Sequence, residues 1–496
     1  MKINYILFCL LTLLMGCKPK TSNNNREAKY SEKYRPQFHF TPEKNWINDP
    51  NGLVFYEGEY HLFYQYNPYG DKWGHMSWGH AVSKDMLHWE HLPIALEEYL
   101  DPKTNDSTMI FSGTAVVDKN NTSGLCEGKD CLVAIYTSYL HKNNTGLRQH
   151  QSLAYSNDKG RTWKRYDKNP ILDIQRKDFR DPKVFWYEFQ QKWVMVLVVP
   201  DLYKVQLYQS KNLLQWDLMS EFGKVGDTTK IWECPDLYQL PVENESGKSK
   251  WVLSLSGGHP AGPAFVGMQY FIGEFDGTKF ISTQKEAKYI DHGKDFYAGI
   301  VYNNVNDRTV MIGWINNWTY ANEVPTSTWR GGFSLPRQLS LKRKNDEYFL
   351  LQKTIAEAKS LRSEEIKDLE KFNGSSLEIE LEWNGADGTI LELFSNRDEK
   401  TVIAKRDNIV FVNRAGSGIV DFQSDFASND QASIDGTNQK LSLHIFVDQS
   451  IIEVFVNDGE ASITSQVFPR GENTIVIPMK ENVKSIRAWE LKSIWK

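Results

Sequence analysis

A recurring turn limits what this chain can become more than any single residue does. "SKDMLHWE" from Ser83, "SNDKGRTW" from Ser156 and "SKNLLQWD" from Ser210 each place a serine, a polar turn, and a tryptophan six or seven residues on. The starts are 73 and 54 residues apart, and a weaker echo, "FIGEFDGTKF", begins at Phe271. Each lies beside a β-patterned run such as "SLAY" or "WVMVLVV". Units of this length suit four-stranded propeller blades with insertions, each burying its apolar face against the next. Arg35 to Leu341 then holds about five blades. On this pattern alone a β-sandwich with similar hairpin turns is the alternative.

After "RGGFSLPRQLSLKR" the character changes. "TIAEAKSLRSEEIKDLEK" is charged and helix-permissive and reads as a linker, and from Ser376 apolar and polar residues alternate cleanly through "LEIELEW", "TILELF" and "LSLHIFVDQSIIEVFVNDG". Asn457, Asp458 and Gly459 form a hairpin turn in the last of these. At 496 residues the chain exceeds what one core usually organises. The expected fold is all-β: a five-bladed β-propeller over 36–345, a linker over 346–370 and a β-sandwich over 371–496. The sandwich shows no convergent acids and reads as structural or accessory.

The amino terminus is a targeting segment to be set aside from the fold. Lys2 precedes an apolar run, Ile6 to Met15, too short to span a bilayer, so 1–16 reads as a signal peptide. "LLMGC" resembles the lipobox of bacterial lipoproteins, which makes Cys17 the lipidated residue and 17–35 a polar, flexible tether. An exported lipoprotein follows as the expectation, on the periplasmic face or the cell surface, touching the membrane through that lipid only. Cys126 and Cys131 are close enough to close a small loop by a disulfide, and Cys234 is left unpaired. The net charge of -5 gives no basic footprint, so nucleic acid is not an expected partner. The 11 histidines are scattered without zinc spacing, so no metal is expected. Oligomeric state is left open.

Three acids recur in one setting. Asp49 lies in "NWINDPNGLVFY", Asp181 in "DFRDPKVFW" and Glu233 in "KIWECPDLYQL". Each stands just before or one residue from a proline that favours extended or turn geometry, and each opens a strand of a different expected blade. Singly, each is explained as a turn acid. Together, at strand starts that converge on a propeller channel in aromatic surroundings, they point to an active site.

These motifs carry a resemblance. "WINDPNG", "FRDP" and "WECPDL", with "FYQYNP", "WGHMSWGHAVSKDMLHW", "FSGTAV", "DFYAG", "GWINNW" and "WRGGFSLPRQLSL", make the chain similar to glycoside hydrolase family 32, the invertases, inulinases and levanases. The resemblance runs from about Gln37 to the end, and Ile47 stands where the family normally has Met. It implies cleavage of β-fructofuranosidic bonds through an oxocarbenium-like transition state, with Asp49 as nucleophile and Glu233 as general acid and then base. Such an acid must hold its proton near neutrality, which asks for aromatic burial or neighbouring acids. Asp181 would stabilise the fructosyl hydroxyls, with Arg180 keeping it ionised. Asn48, Gln65, Phe111 and Ser112 would bind the sugar, and Trp46, Trp73 and Trp314 would wall the pocket. Asp295 and Tyr297 of "DFYAG" are further candidates. The mechanism needs no cofactor.

Two rivals have their own signals. "SNDKGRTW" fits the Asp-box of sialidases, but a sialidase needs an arginine cluster and only Arg180 sits in a convincing motif. A silent carbohydrate-binding lipoprotein should have lost at least one acid, and all three are present. The resemblance implies a fructan of levan or inulin type as substrate, with sucrose and small oligofructosides as further options. Linkage and endo or exo action are set by the loops that shape the outer subsites. Retention of configuration would place the Asp49 and Glu233 carboxyls roughly 5 to 5.5 Å apart, and inversion about 6.5 to 9.5 Å.

Overall fold

A computed structural model describes residues 30–495 apart from 102, 104, 143, 144 and 436–439. The expected leader and Cys17 lie outside the described residues. Five antiparallel sheets follow one another along the chain, and their first strands are Asn45–Tyr56, Ser107–Val117, Arg180–Tyr187, Glu233–Pro241 and Tyr297–Val301. Each first strand is the innermost of its blade and packs against its counterparts in the neighbouring blades, so the five close a ring around a channel. The short strand Trp329–Arg330 pairs in parallel with Asn45 and Trp46 and helps seal the ring where blade 5 meets blade 1. The fold is thus a five-bladed propeller followed by a β-sandwich.

The recurring serine turns occupy one place in the architecture. Ser83, Ser156 and Ser210 end the third strands of blades 1, 2 and 3, and Phe271–Phe280 spans the corresponding turn of blade 4. Each serine Oγ bonds the side chain two residues on: Asp85 at 3.0 Å, Asp158 at 2.7 Å and Asn212 at 3.3 Å. The Asp85 and Asn212 side chains then accept backbone N–H groups from the turn. This is the local chemistry by which Ser, Asp and Asn stabilise turns.

Each inner strand has a register shift at the same point. The irregularities fall between Ile47 and Pro50, Ile110 and Gly113, Arg180 and Lys183, Glu233 and Asp236, and Tyr297 and Ile300. Within or beside them Asp181, Cys234 and Ala298 have φ of 62°, 45° and 52°, values rare for residues with a side chain. Bulges of this kind re-aim side chains and concentrate near active sites. Further along the same strands buried ties hold blades together. Lys183 Nζ bonds Asp236 at 2.9 Å and the Val301 carbonyl, linking blades 3, 4 and 5.

The sandwich pairs a six-stranded sheet, which includes Ser376–Trp383, Leu441–Asp448, Ile451–Val456 and Ala461–Gln466, with a four-stranded sheet. Leu377, Ile379, Ile403, Ile445 and Val454 meet in the core between them. The expected linker differs in detail. Residues Glu347–Thr354 form the outermost strand of blade 5, and Arg362–Glu365 already pairs with the six-stranded sheet. The helix-permissive stretch between them yields a 3-10 segment, Ala356–Leu361, because Ala358 and Leu361 are buried between the two parts. Cys126 and Cys131 are disulfide-bonded, and Cys234 is free and buried.

Candidate active site

The bulges place the three acids at one mouth of the channel. Asp49 Oδ2 accepts from Ser112 Oγ at 2.5 Å, while Oδ1 accepts from Asn48 Nδ2 at 3.1 Å. Asn48 is itself held by Trp46, whose indole N–H donates to its Oδ1 at 2.7 Å. The Cys234 thiol reaches Asp49 Oδ2 at 3.4 Å, and the Cys234 backbone N–H donates to Asp181 Oδ2 at 3.0 Å. One residue from blade 4 therefore touches the acids of blades 1 and 3. Its neighbour Glu233 accepts from Arg180 at 3.1 Å on Oε1 and from the Tyr297 hydroxyl at 2.5 Å on Oε2.

Burial differs among the acids. Asp49 and Asp181 are 9% and 6% exposed, whereas the Glu233 side chain keeps 24%. Desolvation pushes the Asp49 carboxyl above the ordinary carboxylate range, opposed by the Ser112 hydrogen bond. Asp181 is raised to about 7: burial is the main cause, Arg180 pulls it down, and Glu233 and Asp49 push it up. Arg180 thus favours the ionised form of Asp181 against burial and the two neighbouring acids. Arg180 Nε stands 3.7 Å from Asp181, while its terminal nitrogens are engaged with Glu233 and with Asp178 at 3.1 Å. Tyr297 is raised well above its usual value, first by burial and then by the Glu233 charge, so it remains a proton donor to that carboxyl.

Other expected residues fall in different places. Ser112 touches Asp49 directly, and Phe111 beside it is half-buried in the same bulge. Gln65 is buried; with the Asn51 amide turned to face it, its Nε2 donates to the Asn51 oxygen at 3.0 Å, bracing the turn behind Asp49. Trp73 is 41% exposed at the rim. Trp46 and Trp314 are fully buried, which corrects their expected place on the pocket wall. They back the site as packing partners of each other and of Trp318, a half-buried ring 4.9 Å from Trp314.

Asp295 is not in the site. It is fully buried against the sandwich, paired with Arg414 and bonded by the Tyr320 hydroxyl at 2.6 Å and the Gln466 N–H at 2.7 Å. Two residues further on, the strand brings Tyr297 into the site. Cys234 went unrecognised in the sequence as a contact to both aspartates; its adjacency to Glu233 in the motif was the available signal. Among the described residues, Glu378, Glu380 and His444 form a group with metal-ligand donors. Arg362 bonds both glutamates, at 2.6 and 2.5 Å, and His444 Nε2 faces Glu378 at 2.6 Å, so all three side chains already hold protein partners.

The arrangement supplies two carboxyls with different partners, Asp49 deep among neutral donors and Glu233 more exposed beside a cation and a phenol. A third acid, Asp181, lies beside them, its Oδ2 accepting the Cys234 N–H. Residues 39–354 match the family model of the glycosyl hydrolases family 32 N-terminal domain, and residues 341–490 that of the family 32 C-terminal domain. The chain is 45% identical to a levanase of Bacillus subtilis (strain 168), over 99% of this chain and 74% of the relative. It is 40% identical to an extracellular exo-inulinase of Aspergillus niger, over 89% of this chain and 91% of the relative. The crystal structure of an exo-inulinase from Aspergillus awamori superposes with a TM-score of 0.85 at 36% identity, covering 94% of this chain and all of that one.

Proposed function

Because this chain belongs to the glycosyl hydrolases of family 32, we propose that its site acts as a retaining β-fructofuranosidase on fructans. The chain is a fructan-cleaving glycosidase; its levanase and exo-inulinase relatives cover most of its length. The observation that carries the reading of the site is the convergence of Asp49, Asp181 and Glu233 through Cys234 and Arg180.

Asp49 attacks the anomeric carbon of the fructosyl unit and forms a covalent ester. Its Oδ2 is aligned by Ser112 and its Oδ1 by Asn48, so attack requires little reorientation. Glu233 delivers a proton to the departing oxygen and then takes one from the incoming water. Tyr297 and Arg180 stabilise the carboxylate that exists between those two transfers. Asp181, titrating near neutrality, hydrogen-bonds the ring hydroxyls as positive charge develops.

Leaving-group dependence separates these roles. Glu233→Ala should lose about 10²- to 10⁴-fold in rate on a fructan, and far less on fructosyl fluoride, whose leaving group needs no proton. Asp49→Ala should be inactive on both. Equal losses for Glu233→Ala on the two substrates would remove it from acid catalysis.

The location is a separate part of the reading. Cys17 carries a lipid that tethers the enzyme to a membrane, on the periplasmic face or the cell surface. The support is the "LLMGC" motif and the polar stretch after it. Cys17→Ala should release active protein into the soluble fraction; retention with the membrane would refute the anchor.

A further inference from the structure

Beyond the three acids, the structure carries a line of side chains that the catalytic steps do not use. It starts at Phe111, beside the serine that holds Asp49. Phe111 stacks on Tyr139 with ring centroids 4.5 Å apart and planes 17° apart, and Tyr139 in turn stacks on His141 at 5.6 Å. Tyr139 and His141 are two residues apart on the strand Leu132–Lys142, and their stacking shows that they share a face. Trp73, at the exposed rim, meets Phe111 edge-on at 6.3 Å. The line ends in polar groups: Glu98 lies 3.4 Å from His141 Nε2 and 2.7 Å from His75 Nδ1.

The side of the site on which this line lies follows from Arg180. Tyr139 pairs across the sheet with Gln149, whose side-chain oxygen accepts from the Phe179 N–H at 2.8 Å and faces Arg180 at 3.4 Å. Arg180 holds Glu233, the residue that protonates the departing oxygen. Tyr139 thus borders the direction in which the leaving sugar lies. The ring has room to lie flat because residue 146 is glycine; a Cβ there would come within 2.5 Å of the Tyr139 hydroxyl.

We infer that Tyr139, His141 and Glu98 form an outer subsite for the second sugar on the leaving-group side, with Trp73 and Phe111 meeting the first. Phe111 and His141 cover the two faces of the Tyr139 ring, so Tyr139 meets the sugar through its edge and hydroxyl, and the Glu98 carboxylate, held by His75, His141 and Ser107, accepts the sugar's hydroxyls. The inference rests on the fructan-hydrolase reading and sharpens it: the ligand is a fructan chain of at least three units, and a disaccharide such as sucrose cannot reach the outer groups.

A chain-length series tests this on the wild-type enzyme. kcat/KM should rise about ten-fold between sucrose and an oligofructoside of three units, the scale of one subsite contact, and change little at four and five. Tyr139→Ala should remove that rise, and His141→Phe, which keeps a ring in place but loses the bond to Glu98, should reduce it. Hydrolysis of every substrate with no rise at three units would overturn the subsite while leaving the enzyme assignment intact. Equal loss on sucrose and on longer chains in Tyr139→Ala would overturn it as well. Absence of hydrolysis on any fructoside would instead take down the assignment on which the subsite rests.

Discussion

Asp181 shows how a single buried carboxyl serves the site at a cost to the fold. With its folded pKa raised to about 7 from an ordinary value of 3.8, it holds a proton in the native state over a range where the unfolded chain has lost it. The unfolded state then binds fewer protons than the native state between about pH 4 and pH 7, so this group's contribution to stability falls as pH rises through that window. Asp181→Asn removes the ionisation. The variant should match the wild type near pH 4 and exceed it above pH 7, while losing activity. Chemical denaturation at several pH values measures the difference, and a gap that stays constant with pH would contradict the burial argument. The same scale explains which site residues could be read in sequence. Asp49, Asp181 and Glu233 announce themselves because each combines an acid with a proline at a strand start. Asp295 misled because "DFYAG" gives no sign of which residue faces the channel; the structure turns Tyr297 inward and gives Asp295 to Arg414.

At the scale of elements, the serine turns were legible because their chemistry is local. A serine, an acid or amide two residues on, and a tryptophan after the turn need no information from distant parts of the chain. The bulges were not legible. Five inner strands shift register at equivalent points, yet the residues there share no common type: Asn48-Asp49, Phe111-Ser112, Asp181-Pro182, Cys234-Pro235 and Ala298-Gly299. Position in the ring, set by packing against neighbouring blades, decides where each strand must bend. Gly113 shows the constraint in one case, since a Cβ there would stand 2.2 Å from the Ile135 carbonyl oxygen. The expected linker failed for a related reason. Glu347–Thr354 and Arg362–Glu365 take strand partners from blade 5 and from the sandwich, and those partners lie far along the chain.

Across the whole molecule, the propeller and the sandwich are joined by buried charges that composition gave no means of locating. Arg337 of blade 5 bonds Asp291 at 2.9 Å and Glu453 of the sandwich at 2.5 Å. His39, ahead of blade 1, sits between Asp448 at 2.8 Å and Glu453 at 2.9 Å. Burial pulls the His39 pKa down, but the hydrogen bonds and charges of Asp448 and Glu453 outweigh it and raise the value to about 9. A raised folded pKa stabilises fully below the unfolded value near 6.5 and is lost as pH climbs through 9. Thermal stability should therefore drop between pH 7 and pH 9.5, and His39→Gln should be less stable at pH 6 with a shallower drop. A parallel decline in variant and wild type would show that the pH dependence does not come from His39. The central claim is that Asp49 becomes covalently attached to the sugar while Glu233 manages the proton. Mass spectrometry of Glu233→Ala protein quenched during turnover of fructosyl fluoride tests it most directly, because without the base the ester should accumulate. A fructosyl adduct on the peptide containing Asp49 is the expected result; an adduct mapped to Asp181 or another residue, or none while fluoride is released, would contradict the account.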